Sequence, residues 1–115
     1  MTRRTACLLF LAGSCLAWGA CARRLSVGPL RAGVAAANDE RWDEAIRFWT
    51  QALEQDPQSA AAHNNLAVAY EKRGDWPAAA GEYEEAVRLE PDNALIRGNY
   101  EAFKARLDAG RGKGS

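Results

Sequence analysis

The chain has 115 residues with fifteen Lys and Arg, fifteen Asp and Glu and one histidine, which limits it to one small domain plus whatever its first residues do. Residues 1–38 hold five arginines and no acid, whereas residues 39–110 hold all fifteen acids against eight basic residues. An acidic folded part lacks the clustered cations that displace counterions from phosphates, which excludes nucleic-acid binding. With all three cysteines inside the first 21 residues, the domain has neither a disulfide framework nor a zinc spacing.

The first segment, "MTRRTACLLFLAGSCLAWGACARR", starts with Arg3 and Arg4 and is then uncharged from Thr5 to Ala22. A positive start, an apolar middle and small residues at the end follow the order of a secretory signal, so residues 1–21 stand outside the fold. Three fates are open. The end "LAWGAC" resembles the lipobox of bacterial lipoproteins, with Gly19 and Ala20 in place and Trp18 where that family prefers leucine. This resemblance implies a lipid on Cys21, with Cys15 after "AGS" the weaker alternative, and a mature protein anchored in the bacterial cell envelope and facing the periplasm. Cleavage after Ala22 would instead release a soluble exported protein. The third fate is an uncleaved anchor, since the eighteen uncharged residues reach the lower limit for spanning a bilayer.

The remainder is a text written twice. "RWDEAIRFWTQALEQDP", Arg41 to Pro57, returns as "DWPAAAGEYEEAVRLEP", Asp75 to Pro91, at an offset of 34 residues. That offset sets Trp42 over Trp76, Ala45 over Ala79, Trp49 over Tyr83, Ala52 over Ala86 and Gly33 over Ala67. Each copy, 26–58 and 59–92, reads as two helices. The first pair comprises a helix over about Pro29 to Asn38 and one starting near Trp42. In the second pair Ser59 caps a helix over about Ala60 to Arg73, which Gly74 ends. Asp75 then caps a helix to about Leu89, with Pro77 in its first turn, and Pro91 stops it. A fifth helix over residues 93–109 starts at Asp92 or Asn93 and carries Ile96, Tyr100, Phe103 and Leu107 on one stripe. It covers the open end of the stack, and residues 110–115, "GRGKGS", form a flexible tail.

Asn64 to Pro91, "NNLAVAYEKRGDWPAAAGEYEEAVRLEP", closely resembles the tetratricopeptide repeat family, with its small residue after Leu66, its Gly-Asp-aromatic turn and its closing proline. The earlier copy is looser, with Ala32 and Ala36 where the family prefers leucine and tyrosine, and a turn "NDERW" without glycine. The resemblance implies an all-α fold, a short solenoid of two full repeats plus a C-terminal capping helix. It also implies that the first helix of each pair lines a concave groove for an extended peptide or a partner helix. The groove-facing set is then Leu30, Arg31, Val34 and Asn38 from the first copy, Asn64, Asn65, Val68 and Lys72 from the second, and Asn99 and Ala102 from the cap. Paired asparagines can hydrogen-bond a peptide backbone; the competing reading is that Asn65 and Asn99 tie neighbouring repeats together. Some family members clamp a terminal carboxylate, but of the matching places only Asn65 and Asn99 agree here, so a chaperone-tail receptor is not expected.

Nothing in the sequence points to catalysis. A Gly-rich phosphate loop, a Ser/His/Asp set and a Cys/His pair outside the first segment are all missing, so no enzyme activity, cofactor or metal is expected. His63 reads as a surface or packing residue, the carboxylates of Glu82, Glu84, Glu85, Glu90 and Asp92 as a solvated face, and Trp42, Trp49 and Trp76 as packing residues. The expected function is an adaptor or scaffold for another protein in an envelope assembly. The alternatives are a self-associating structural protein, or an accessory subunit of an envelope enzyme or of a secretion or pilus system.

Overall fold

The computed structural model describes residues 27–113; Cys15, Cys21 and the rest of the first segment lie outside them. Five helices follow one another: α1 (Pro29–Asn38), α2 (Trp42–Gln55), α3 (Ala60–Lys72), α4 (Trp76–Leu89) and α5 (Ala94–Gly112). Each packs on its neighbour in the chain, so the described residues form two antiparallel helix pairs and a capping helix.

The repeated text builds the same local structures twice. After α1 the amide of Arg41 donates to Ala36 O at 2.9 Å and that of Glu40 to Ala37 O at 3.0 Å. Asp75 to Tyr70 O and Gly74 to Glu71 O repeat the pattern at 2.9 and 3.0 Å after α3. Such a closure requires a left-handed residue just past the helix. Gly74 supplies it at φ 77°, and in the first copy Glu40 adopts φ 58°, a conformation that a residue with a Cβ enters only at a cost. Ser59 Oγ accepts from Ala62 N at the start of α3, Asp75 Oδ1 from Ala78 N at α4, and Asn93 Oδ1 from Leu95 N and Ile96 N at α5.

Three clusters fill the interior. Ala36, Ala45, Trp49, Leu66 and Ala69 join α1, α2 and α3. Ala67, Ala79, Tyr83 and Phe103 join α3, α4 and α5, and Ala60, Ala86 and Ile96 close the far end of the same three helices. Every cluster spans a repeat boundary, so no helix pair buries its apolar face alone. The alanines let backbones approach, and the rings of Trp49 and Tyr83 fill the space beside them. Trp49 is buried and Trp42 half-buried against it, whereas Trp76 remains 37% exposed while stacking on Phe103 at 5.7 Å.

The expected boundary of α5 needs correction. The helix runs to Gly112, beyond residue 109, because no proline interrupts it and neither Gly110 nor Gly112 takes a positive φ. Of the residues assigned to a flexible tail, 110–112 are therefore helical.

Candidate functional site

The first helices of the two pairs and the cap, α1, α3 and α5, share one face. On α3, Asn64, Val68, Glu71 and Lys72 fall at i, i+4, i+7 and i+8, and on α5 Asn99, Ala102 and Arg106 fall at i, i+3 and i+7, so each set forms a single stripe. An open pocket of about 350 Å³ lies between them, lined by Val68, Glu71, Lys72, Tyr83, Asn99, Ala102 and Arg106.

Tyr83 reaches this pocket from α4. Its ring is packed against Phe103 at 5.1 Å and Tyr100 at 5.9 Å, and its hydroxyl donates to Glu71 Oε2 at 3.1 Å. Arg106 Nε donates to Glu71 Oε1 at 2.5 Å, so one carboxylate joins α3, α4 and α5. Burial pushes the Tyr83 phenol well above its ordinary range, and the charge of Glu71 and the hydrogen bond to it act in the same direction. The phenol therefore stays protonated and donating. The bond to Glu71 likewise holds the Arg106 guanidinium more firmly charged than usual. Beside this junction Asn99 Nδ2 donates to Asn64 Oδ1 at 3.1 Å.

The structure brings Val68, Lys72, Asn99 and Ala102 into that one pocket. It leaves Arg31, Val34 and Asn38 exposed along α1, and Asn65 half-buried on α3. Two expected groove residues are corrected. Asn64 is only 7% exposed, because Asn99 lies over it, so it belongs to the joint between the second repeat and the cap. The tie between neighbouring repeats that was open for Asn65 and Asn99 is formed instead by Asn64 and Asn99. Leu30 packs into the first core cluster, and its carbonyl accepts the Trp49 indole N–H at 3.0 Å; a side chain used this way is not presented to a ligand.

Sequence reasoning missed Glu71, Tyr83 and Arg106. Arg106 had a signal, since it stands 34 residues after Lys72 and so repeats the groove position on the cap. Tyr83 and Glu71 had none, because their meeting depends on how α4 lies under α3. His63 is a packing residue: Nδ1 lies 2.6 Å from Glu82 Oε2 and Nε2 3.0 Å from Pro57 O, joining α3 to α4 and to the loop before it. A second depression, beside the turn from α1 to α2, is lined by Arg41, Glu44, Asp43 and Arg73 among others. Its charges compensate one another through the Arg41–Glu44 and Arg73–Asp43 pairs, so it offers little to a ligand.

A model of the tetratricopeptide repeat matches residues 30–94, more than half of the chain. The chain belongs to the tetratricopeptide repeat family. It is 31% identical over 80 residues to the tetratricopeptide repeat domain-containing protein PYG7, chloroplastic, of Arabidopsis thaliana, an alignment covering 70% of this chain and 27% of that protein. Against tetratricopeptide repeat protein 36 of Caenorhabditis elegans the identity is 42% over 65 residues, covering 56% of this chain and 36% of the relative. Stress-induced-phosphoprotein 1 of the same organism is 36% identical over 52 residues, covering 45% and 16%. The chain thus spans roughly a third or less of the length of these relatives. Tetratricopeptide repeats form a protein-interaction fold, generally without catalysis, that binds other proteins or peptides, and this chain is such a module.

Proposed function

We propose that the chain is an exported, membrane-anchored adaptor that holds a peptide or helix of another envelope protein on the face formed by α1, α3 and α5. The observation that carries this reading is the pocket between α3 and α5, where Val68 and Ala102 offer apolar contact and Lys72, Asn99 and Arg106 offer polar groups within one open cleft. A small apolar floor with a few convergent polar side chains suits a peptide, whose backbone needs hydrogen bonds while its side chains need pockets. The export and anchoring rest on residues 1–21 and the lipobox-like "LAWGAC", through Cys21 or, second, Cys15.

Two measurements test the parts separately. Intact mass of the membrane-associated protein distinguishes a lipid on Cys21, cleavage after Ala22 and an uncleaved chain; only the first and third agree with an anchor. For binding, replacing Arg31, Asn65 and Lys72 together by alanine is expected to reduce partner capture from envelope extracts while leaving helicity unchanged. Undiminished capture by that variant would remove the groove reading. Asn64 is left out of the set, since its loss weakens the fold itself.

A further inference from the structure

The hydrogen-bonding groups left open in the pocket narrow what the groove holds. Both oxygens of Glu71 are occupied, by Tyr83 and by Arg106, and the Asn64 carbonyl is occupied by Asn99. What remains is rich in donors. The η nitrogens of Arg106 engage no acceptor among the described residues, and only its Nε is bonded. Lys72 pairs with no carboxylate among the described residues and rests 5.9 Å from the Trp42 ring centroid. Arg31, exposed on α1, is likewise without an acidic partner among them. On the groove stripes one open cation therefore stands on each of α1, α3 and α5.

This arrangement runs against the charge of the domain as a whole. Helices α2 and α4 each carry three carboxylates against a single arginine, whereas α1, α3 and α5 together carry six cations against three acids. By spacing, Arg97, Lys104 and Arg111 lie on the far side of α5 from Asn99, Ala102 and Arg106, so the groove stripes themselves hold Arg31, Lys72 and Arg106 against one acid, Glu71, which is already paired. A complementary occupant is acidic.

Resting on the groove reading above, we infer that the face selects an extended peptide bearing several Asp or Glu side chains, one of them between Lys72 and Arg106. Small apolar residues of the same peptide cover Val68 and Ala102, since alternate side chains of an extended strand face the same way. A lone terminal carboxylate serves only one of three separated cations. The chain's own first segment is unsuited, because residues 1–26 contain four arginines and no acid.

The test uses the full-length chain in non-ionic detergent and a fluorescein-labelled, C-terminally amidated peptide of alternating glutamate and valine. Its comparators replace glutamate by glutamine, one amidated and one with a free C-terminus. The glutamate peptide is expected to bind on the order of tenfold tighter than either comparator by fluorescence anisotropy. Lys72→Gln and Arg31→Gln are each expected to weaken it several-fold with circular dichroism unchanged. Equal affinity for the amidated glutamine peptide overturns acid selection and leaves the groove reading standing. Equal affinity for the free-terminus peptide alone assigns the cations to a chain terminus and also overturns it. The inference falls too if no peptide binds, if Lys72→Gln and Arg31→Gln have no effect, or if Lys72→Gln abolishes a self-association of the chain, which would make a second copy the occupant.

Discussion

Gly33 and Trp49 are matched in size. A Cβ built on Gly33 would lie 2.3 Å from the indole Nε1 and 2.5 Å from Cδ1, and the indole cannot retreat without losing its bond to Leu30 O. The second copy meets the same requirement with Ala67 against the smaller ring of Tyr83, both buried in one cluster. Gly33→Ala is therefore expected to destabilise the chain by about 2 kcal/mol in denaturant unfolding, as overpacking does. Adding Trp49→Tyr, which rebuilds the pairing of the second copy, should recover part of that loss and so show non-additivity. The repeat offset made the correspondence of Gly33 with Ala67 legible in the sequence. Why glycine is needed was not legible, because it depends on where the indole lies. Glu40 presents the opposite case. The offset aligns it with Gly74, and it occupies the same left-handed position with a side chain attached. Glu40→Gly should accordingly raise stability by about 1 kcal/mol, seen as a higher melting temperature; an unchanged or lower one would mean that the turn is not strained.

At the scale of elements, the docking of α5 is the joint that completes the site. Its apolar stripe of Ile96, Tyr100, Phe103 and Leu107 could be read from the sequence, because spacing alone puts those residues on one side. The polar half of the joint could not. Asn64 and Asn99 looked like ligand-facing amides until the approach of α5 turned them toward each other, and Glu71 gave no sign of serving Tyr83 and Arg106 at once. The length of α5 was also hidden, since glycine after residue 109 ordinarily marks a helix end. The Tyr83 phenol supplies a pH test. Its folded-state pKa is raised above the ordinary value of about 10, so its contribution is complete below that pH and is lost as the pH rises through the raised value. Unfolding free energy should thus fall above about pH 10, and less steeply in Tyr83→Phe, which at neutral pH is weaker by about 1 kcal/mol for the lost hydrogen bond. Tyr100 is shifted in the same direction, by burial and by Glu84, but is present in both proteins, so the difference between the two curves isolates Tyr83. Identical slopes would contradict the assignment.

Across the whole molecule, the repeated text and the functional face are complementary. The positions at which the two copies agree, such as Ala45 with Ala79 and Trp49 with Tyr83, became the core. Those at which they differ, such as Asn38 against Lys72, lie on the shared face of α1, α3 and α5. That division explains why the fold was legible and the partner was not: packing obeys the repeat, whereas the proposed recognition rests on its departures. The central claim, that this face meets another protein, is tested most directly by photo-crosslinking in cells that make the chain. A photoreactive amino acid is placed singly at Val68 or Ala102 on that face, or at Gln51 or Gly81, exposed on α2 and α4. Adducts with another protein are expected from Val68 and Ala102 and none from Gln51 and Gly81; adducts arising only from Gln51 and Gly81, or equally from all four, would contradict that claim.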